Sequence, residues 1–186
     1  ELMHRLREEG YRAVKMGWGP FGRVNHALDE EIVRTAREAL GPEIDLMVDA
    51  GGSDAFWPNG YAWALRTSKM LADYDVVWFE EALRPDALDD FVALRRNSTV
   101  PISGGEVLTR RQTFVPWLSA GAFDIVQPDV CKVGGISEER RIGWYAEEFS
   151  VKLIPHGWNT AVGLAADLQL ASAIPGTDRV EYLQGS

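Results

Sequence analysis

The stretch Tyr11-Arg12-Ala13-Val14-Lys15-Met16-Gly17-Trp18-Gly19-Pro20-Phe21-Gly22 decides the fold class. Its first half is a short apolar run of strand type, and its second half is a glycine-rich loop. Residues 17–22 superficially match the G-x-G-x-x-G turn of a dinucleotide-binding, doubly wound sheet. Pro20 and the two aromatic side chains make that loop a poor cradle for phosphate. The other interpretation is a barrel strand that ends in a loop, with Lys15 at its tip and Gly17 where a second side chain on the same face could stand.

The rest of the chain repeats this unit. Strand candidates are YRAVKMG (11–17), DLMVDAG (45–51), VVWFEEA (76–82), PISGGE (101–106), AFDIVQPD (122–129), VKLIPHG (151–157) and RVEYLQ (179–184). Amphipathic stretches at 30–40, 61–71, 87–95, 110–118, 137–149 and 160–173 predict helices between and after them. Thr109 with Gln112 fits a capping box, Ser137 before two glutamates fits an N-cap, and Gly41-Pro42 fits a helix stop. Strand and helix in strict alternation predict a parallel sheet with helical crossovers. Seven strand candidates without a linker or low-complexity tract fit an α/β barrel of the (β/α)8 TIM type lacking about one unit, with residues 1–186 forming one partial catalytic domain. The chain opens in a helical pattern without an initiator methionine and stops abruptly at VEYLQGS. The expectation is therefore a fragment of a longer protein that would not fold alone.

Composition excludes several functions. The 186 residues are 46% hydrophobic and 25% charged, which is ordinary globular material. A net charge of −9 and a pI near 4.8 argue against nucleic acid as a partner. No run reaches the roughly 18 apolar residues of a membrane span, and nothing resembles a signal peptide. A lone cysteine, Cys131, cannot form an internal disulfide, which favours a reducing, cytoplasmic setting.

In barrels of this kind the chemistry sits at the C-terminal ends of the strands. Those ends carry, in order, Lys15, Asp49, Glu80 or Glu81, Glu106, Asp129, His156 and Glu181, at intervals of 23 to 34 residues. A single acid at a strand end is commonly a cap or a solvated loop residue. Three acids on three consecutive strands would repel one another unless a cation sat among them. Oxygen ligands alone favour Mg2+ first and Mn2+ second, and with no clustered histidine or cysteine they argue against zinc. Asp129 and His156, on the next two strands, fit a carboxylate that orients an imidazole base. His4 and His26 read as surface residues, and Cys131 reads as strand packing. Trp18, Trp57 and Trp158 each follow a strand end, where tryptophan either packs the core or walls a pocket.

In combination and order these residues resemble the enolase superfamily, mandelate racemase subgroup. The matching pieces are VKMG (14–17), MVDAGG (47–52), WFEEAL (78–83), ISGGE (102–106), QPDVCKVGGISE (127–138), IPHGWN (154–159) and VEY (180–182). The resemblance implies Mg2+ held by Asp49, Glu80 and Glu106, which selects Glu80 over Glu81. It implies an Asp129–His156 base, Lys15 near the substrate on the opposite face, and Glu181 hydrogen-bonded to a substrate carboxylate oxygen. It further implies an N-terminal α+β capping domain and a first barrel strand outside the given chain, and homo-oligomers. The sequence departs from the family pattern at Gly17, where a second lysine is usual, at Ala82, where proline is common, and at Gly51, where asparagine is usual.

The implied activity is removal of the proton next to a carboxylate. Without a second lysine the expectation is one-base chemistry: a Mg2+-dependent lyase that dehydrates a sugar acid, aldonate or aldarate, to a 2-keto-3-deoxy acid. Two alternatives stay open. One is a racemase or epimerase of a 2-hydroxy acid with Lys15 as second base. The other is a catalytically silent barrel that binds metal or sugar acid.

Overall fold

The computed structural model describes residues 1–183. Six strands form one sheet in the order of the chain. They are β1 (Ala13–Gly17), β2 (Asp45–Asp49), β3 (Val76–Glu80), β4 (Ile102–Gly104), β5 (Ile125–Val126) and β6 (Lys152–Leu153). β1 pairs with β2, β2 with β3, β4 with β5 and β5 with β6, each pair parallel. A doubly wound sheet reverses its strand order at a switch point, and this sheet has no reversal. Among the described residues the first helix is α1 (Leu2–Glu8), and the others are α2 (His26–Leu40), α3 (Tyr61–Ala72), α4 (Leu88–Asn97), α5 (Arg110–Ala120), α6 (Val130–Val133), α7 (Ile136–Glu148) and α8 (Ala161–Ala171). By internal contacts the chain divides into two compact units, residues 1–102 and 103–186.

In the first unit β2 and β3 are buried on both faces, so they read as unbroken apolar runs. α2 lays Val33, Ala36, Ala39 and Leu40 inward. Asn25 caps its start by accepting from the Leu28 N–H at 2.9 Å, and Gly41 ends it. Arg37 then fixes the exit. Its guanidinium donates to the carbonyls of Gly41, Ile44, Tyr74 and Asp75, so one side chain ties the end of α2 to the loops that feed β2 and β3. Phe21, Trp57 and Phe79 surround Trp63, with ring centroids 5.2 to 6.0 Å from it.

β4, β5 and β6 are short: Pro101 and Gly105 bound β4, and Pro128 and Pro155 follow two residues after β5 and β6. Phe114, Leu118, Phe123, Val126, Ile142 and Ile154 form the buried centre of the second unit. Trp117 stacks on Phe123 at 5.2 Å.

Four sequence expectations need correction. Residues 179–183 form no strand, and Gln184 lies outside the described residues. Glu181 instead spends its side chain on the loop after β6, accepting from the Gly157 N–H at 2.6 Å. Thr109 precedes α5 but gives no side-chain cap. Glu138 of α7 accepts from the Arg111 N–H at 3.0 Å, so a carboxylate from the neighbouring helix does the capping. Ser137 lies inside α7, because Gly135, with positive φ after Gly134, takes the N-cap position two residues earlier. Cys131 does not pack a strand: it is exposed on the one-turn helix α6.

Candidate active site

The first unit brings together Lys15, Asp49 and Glu80. Parallel register sets Gly17 against Asp49 and Asp49 against Glu80, so three strand ends line up. Asp49 and Glu80 are buried. The Lys15 ammonium bridges them, 3.3 Å from Asp49 Oδ2 and in contact with Glu80 Oε1. Asp49 Oδ1 accepts from the Gly51 N–H at 2.8 Å, and Glu80 Oε2 accepts from Trp78 Nε1 at 2.9 Å. Two buried carboxylates side by side repel, and these fixed donors with a cation between them offset that repulsion. Glu81 is buried too, but its backbone turns into the left-handed region at φ 46°.

The departures from the lysine and asparagine pattern have local causes. A β-carbon on Gly17 would lie 1.7 Å from the Asp49 carbonyl oxygen. Gly51 has φ +67°, and a β-carbon there would press on Trp18 at 3.0 Å.

The second unit brings together Glu106, Asp129, His156 and Glu181. Asp129 starts α6, and its Oδ1 accepts from the Cys131 N–H at 2.7 Å. That bond fixes the carboxylate so that Oδ2 meets His156 Nδ1 at 2.8 Å. His156 Nε2 lies 3.1 Å from Glu106 Oε2. Burial alone would lower the His156 pKa. Hydrogen bonds to Asp129 and Glu106 outweigh it and raise the pKa to about 10. For Asp129, burial pushes upward, but the bonds from His156 and the Cys131 N–H hold its carboxyl below the usual range.

Sequence reasoning missed a group behind the dyad. Glu139 on α7 and Asp167 on α8 are fully buried. Among the described residues, neither Glu139 oxygen has a hydrogen-bond partner. Burial first, then the charges of Asp167 and Asp129, push the Glu139 carboxyl up to about 9, and burial pushes Asp167 up to about 6. Asp167 carried a signal, as a lone acid in the apolar run AVGLAADLQLA. Glu139 carried none, since an acid in a helix's first turn is ordinarily solvated. His26 is half-buried rather than on the surface, and burial lowers its pKa. His4 is exposed as expected. Of the three tryptophans, Trp57 packs inside, Trp158 is exposed, and Trp18 is 41% exposed and lines a cleft.

Among the described residues no helix is long and apolar enough to cross a membrane.

The family described as "Enolase C-terminal domain-like" matches residues 1–186. The chain is 37% identical over 174 residues to a D-galactarolactone cycloisomerase of Agrobacterium fabrum, covering 92% of this chain and 43% of that protein. It is 32% identical over 152 residues to a D-xylonate dehydratase of Haloferax volcanii, covering 82% and 36%. Among solved structures it is similar to an enolase from Bradyrhizobium complexed with magnesium and mandelic acid. There the TM-score is 0.84 at 31% identity, over 98% of this chain and 47% of that one. The chain thus spans less than half the length of the relatives it matches.

Proposed function

Since the chain belongs to the enolase C-terminal domain-like family, we propose that it is the catalytic part of a Mg2+-dependent sugar-acid dehydratase. The observation that carries this reading is the buried His156–Asp129 contact at 2.8 Å, an imidazole held by a carboxylate at the end of a strand. The relatives named D-xylonate dehydratase and D-galactarolactone cycloisomerase support a sugar acid or its derivative as the substrate class.

In this reading Asp49 and Glu80 of the first unit and Glu106 of the second are the oxygen ligands that would suit one hard divalent ion. Such an ion, when bound, supplies positive charge to the carboxylate end of the substrate. The fit rests on the donor set and on Asp49 and Glu80 being buried side by side, with Lys15 as a shared counter-charge. Mn2+ is the expected substitute.

In this reading neutral His156 takes the C2 proton. Asp129 fixes the Nδ1–H tautomer and stabilises the imidazolium that forms. The C3–oxygen bond breaks, and His156 returns the proton to the departing hydroxyl, which leaves as water. The enol then becomes the 2-keto-3-deoxy acid. Lys15 lends positive charge on the other face, and Glu181 serves the substrate carboxylate. Glu106 is one of the two carboxylates that keep the ring protonated. If Glu106 were to hold a cation, its pull on the ring proton would weaken and the ring would move toward the range where a base works.

A second reading, favoured by the 37% identical cycloisomerase, keeps the same proton abstraction and ends in an isomerised product. A racemase or epimerase using Lys15 as second base belongs to the same class. The test is a screen of the full-length protein with Mg2+ against four- to six-carbon aldonic and aldaric acids, detecting 2-keto acid. A 2-keto-3-deoxy product supports dehydration. C2 exchange with solvent and no keto acid supports the isomerase.

A further inference from the structure

The first unit holds a cleft of about 430 Å³ lined by Trp18, Gly19, Arg23, Ala50, Gly51, Ser53 and Asp54. It adjoins the strand ends just described. Trp18 walls it and has the Lys15 ammonium 5.8 Å from its ring centre. Ala50 and Gly51 directly follow Asp49. A molecule whose carboxylate lay near Lys15 would therefore extend its far end past Trp18 toward Arg23 and Asp54.

The polar end of the cleft is a fixed pair. The Arg23 guanidinium lies 5.1 Å from the Trp57 ring centre, and its Nη2 donates to Asp54 Oδ2 at 2.7 Å. Asp54 is held in turn by the Phe56 N–H at 2.8 Å. Among the described residues the guanidinium makes no other hydrogen bond, so its remaining N–H groups are available to a ligand. A donor edge beside an acceptor carboxylate, next to an indole face, matches vicinal hydroxyls and the C–H face of a polyol. It does not match a second carboxylate. The cation is already neutralised at 2.7 Å, and Asp54 would repel the incoming charge.

We propose that this cleft takes the uncharged hydroxylated tail of the substrate, so that the protein selects aldonates, sugar monoacids, over aldarates, the matching diacids. The inference rests on the sugar-acid reading above and adds the substrate's far end to it.

The test uses the full-length protein loaded with Mg2+. Calorimetric binding of six-carbon aldonates and of the aldarates of the same configuration is measured in parallel with turnover. Wild type is compared with Arg23→Ala and Asp54→Asn, both exposed positions whose folding is checked by circular dichroism. Wild type binds an aldonate about 10-fold tighter than its diacid. Arg23→Ala weakens the aldonate about 10-fold, and Asp54→Asn narrows the difference by improving the diacid. Tighter binding of diacids by wild type overturns the proposal, as does an aldonate-to-aldarate ratio unchanged in both variants, or no binding of any acid. The expected binding pattern without keto-acid product would refute the dehydratase reading and leave the cleft's assignment standing.

Discussion

Gly17 stands opposite Asp49 in the parallel register of β1 and β2, and the Asp49 carbonyl oxygen occupies the space its side chain would need. The missing second lysine is thus more than a substitution of one side chain. The backbone of β2 lies against β1 where that lysine would project.

Gly17→Lys therefore restores no second base. It is expected to destabilise the full-length protein by about 3 kcal/mol or more, the range of a forced backbone displacement. Thermal unfolding checks this. A stable variant that gains C2 epimerisation would show that the strand can relax, and would remove the steric argument for one-base chemistry.

Asp129→Asn should leave the backbone contact to the Cys131 N–H available to its carbonyl oxygen while removing the charge that holds the His156 proton. Turnover is expected to fall about 100- to 10,000-fold, the usual range for a disabled general base. The pKa of His156, followed by NMR, should drop. Unchanged kcat would show that Asp129 only builds α6.

Glu139 gives a pH signature in stability. Its folded pKa of about 9 lies above its ordinary 4.5 because burial opposes ionisation, and Asp167 and Asp129 add to that while His156 opposes it. The folded state therefore keeps a proton that the unfolded chain has lost. Its contribution is fully present below pH 4.5 and is lost as pH rises toward 9. Glu139→Gln removes this term. The variant should gain on wild type by up to about 1.4 kcal/mol per pH unit across that window. Denaturant unfolding at pH 5 and pH 8 measures it, and a constant difference would show that Glu139 is ionised in the fold.

Chelation of divalent metal by EDTA should abolish turnover and lower Tm, with both recovered by Mg2+ and Mn2+. A ligand that binds only the folded state stabilises it by about 2.7 kcal/mol at 100 times its Kd. Glu80→Gln should remove the Tm response to Mg2+. A response that survived in Glu80→Gln would move the site elsewhere.

Much of this was legible in the sequence because strand ends are punctuated. Apolar runs that close on Lys15, Asp49, Glu80, Asp129 and His156 mark both the fold and the candidate site. Features set by distant partners were not legible. The cap of α5 comes from Glu138, 27 positions away from Arg111, and no local rule names it. Glu139 sits beside Glu138 with the same local pattern, yet one is partly exposed and the other fully buried, which only the packing of α7 decides. The strand expected at 179–184 is not formed by its described residues, 179–183, because apolar alternation in so short a run does not secure a hydrogen-bonding neighbour. Arg23 and Asp54 lie 31 residues apart in loops, where sequence gives no pairing signal.

The most direct test of one-base chemistry at His156 is a proton NMR time course in D2O. The full-length protein with Mg2+ acts on the sugar acid found by screening, and wild type is compared with His156→Asn. The account predicts that wild type forms a 2-keto-3-deoxy acid carrying deuterium at C3 without accumulating the C2 epimer. His156→Asn should give neither product nor C2 exchange while still showing the Tm response to Mg2+. Accumulation of the C2 epimer by wild type, or continued exchange by His156→Asn, would contradict it.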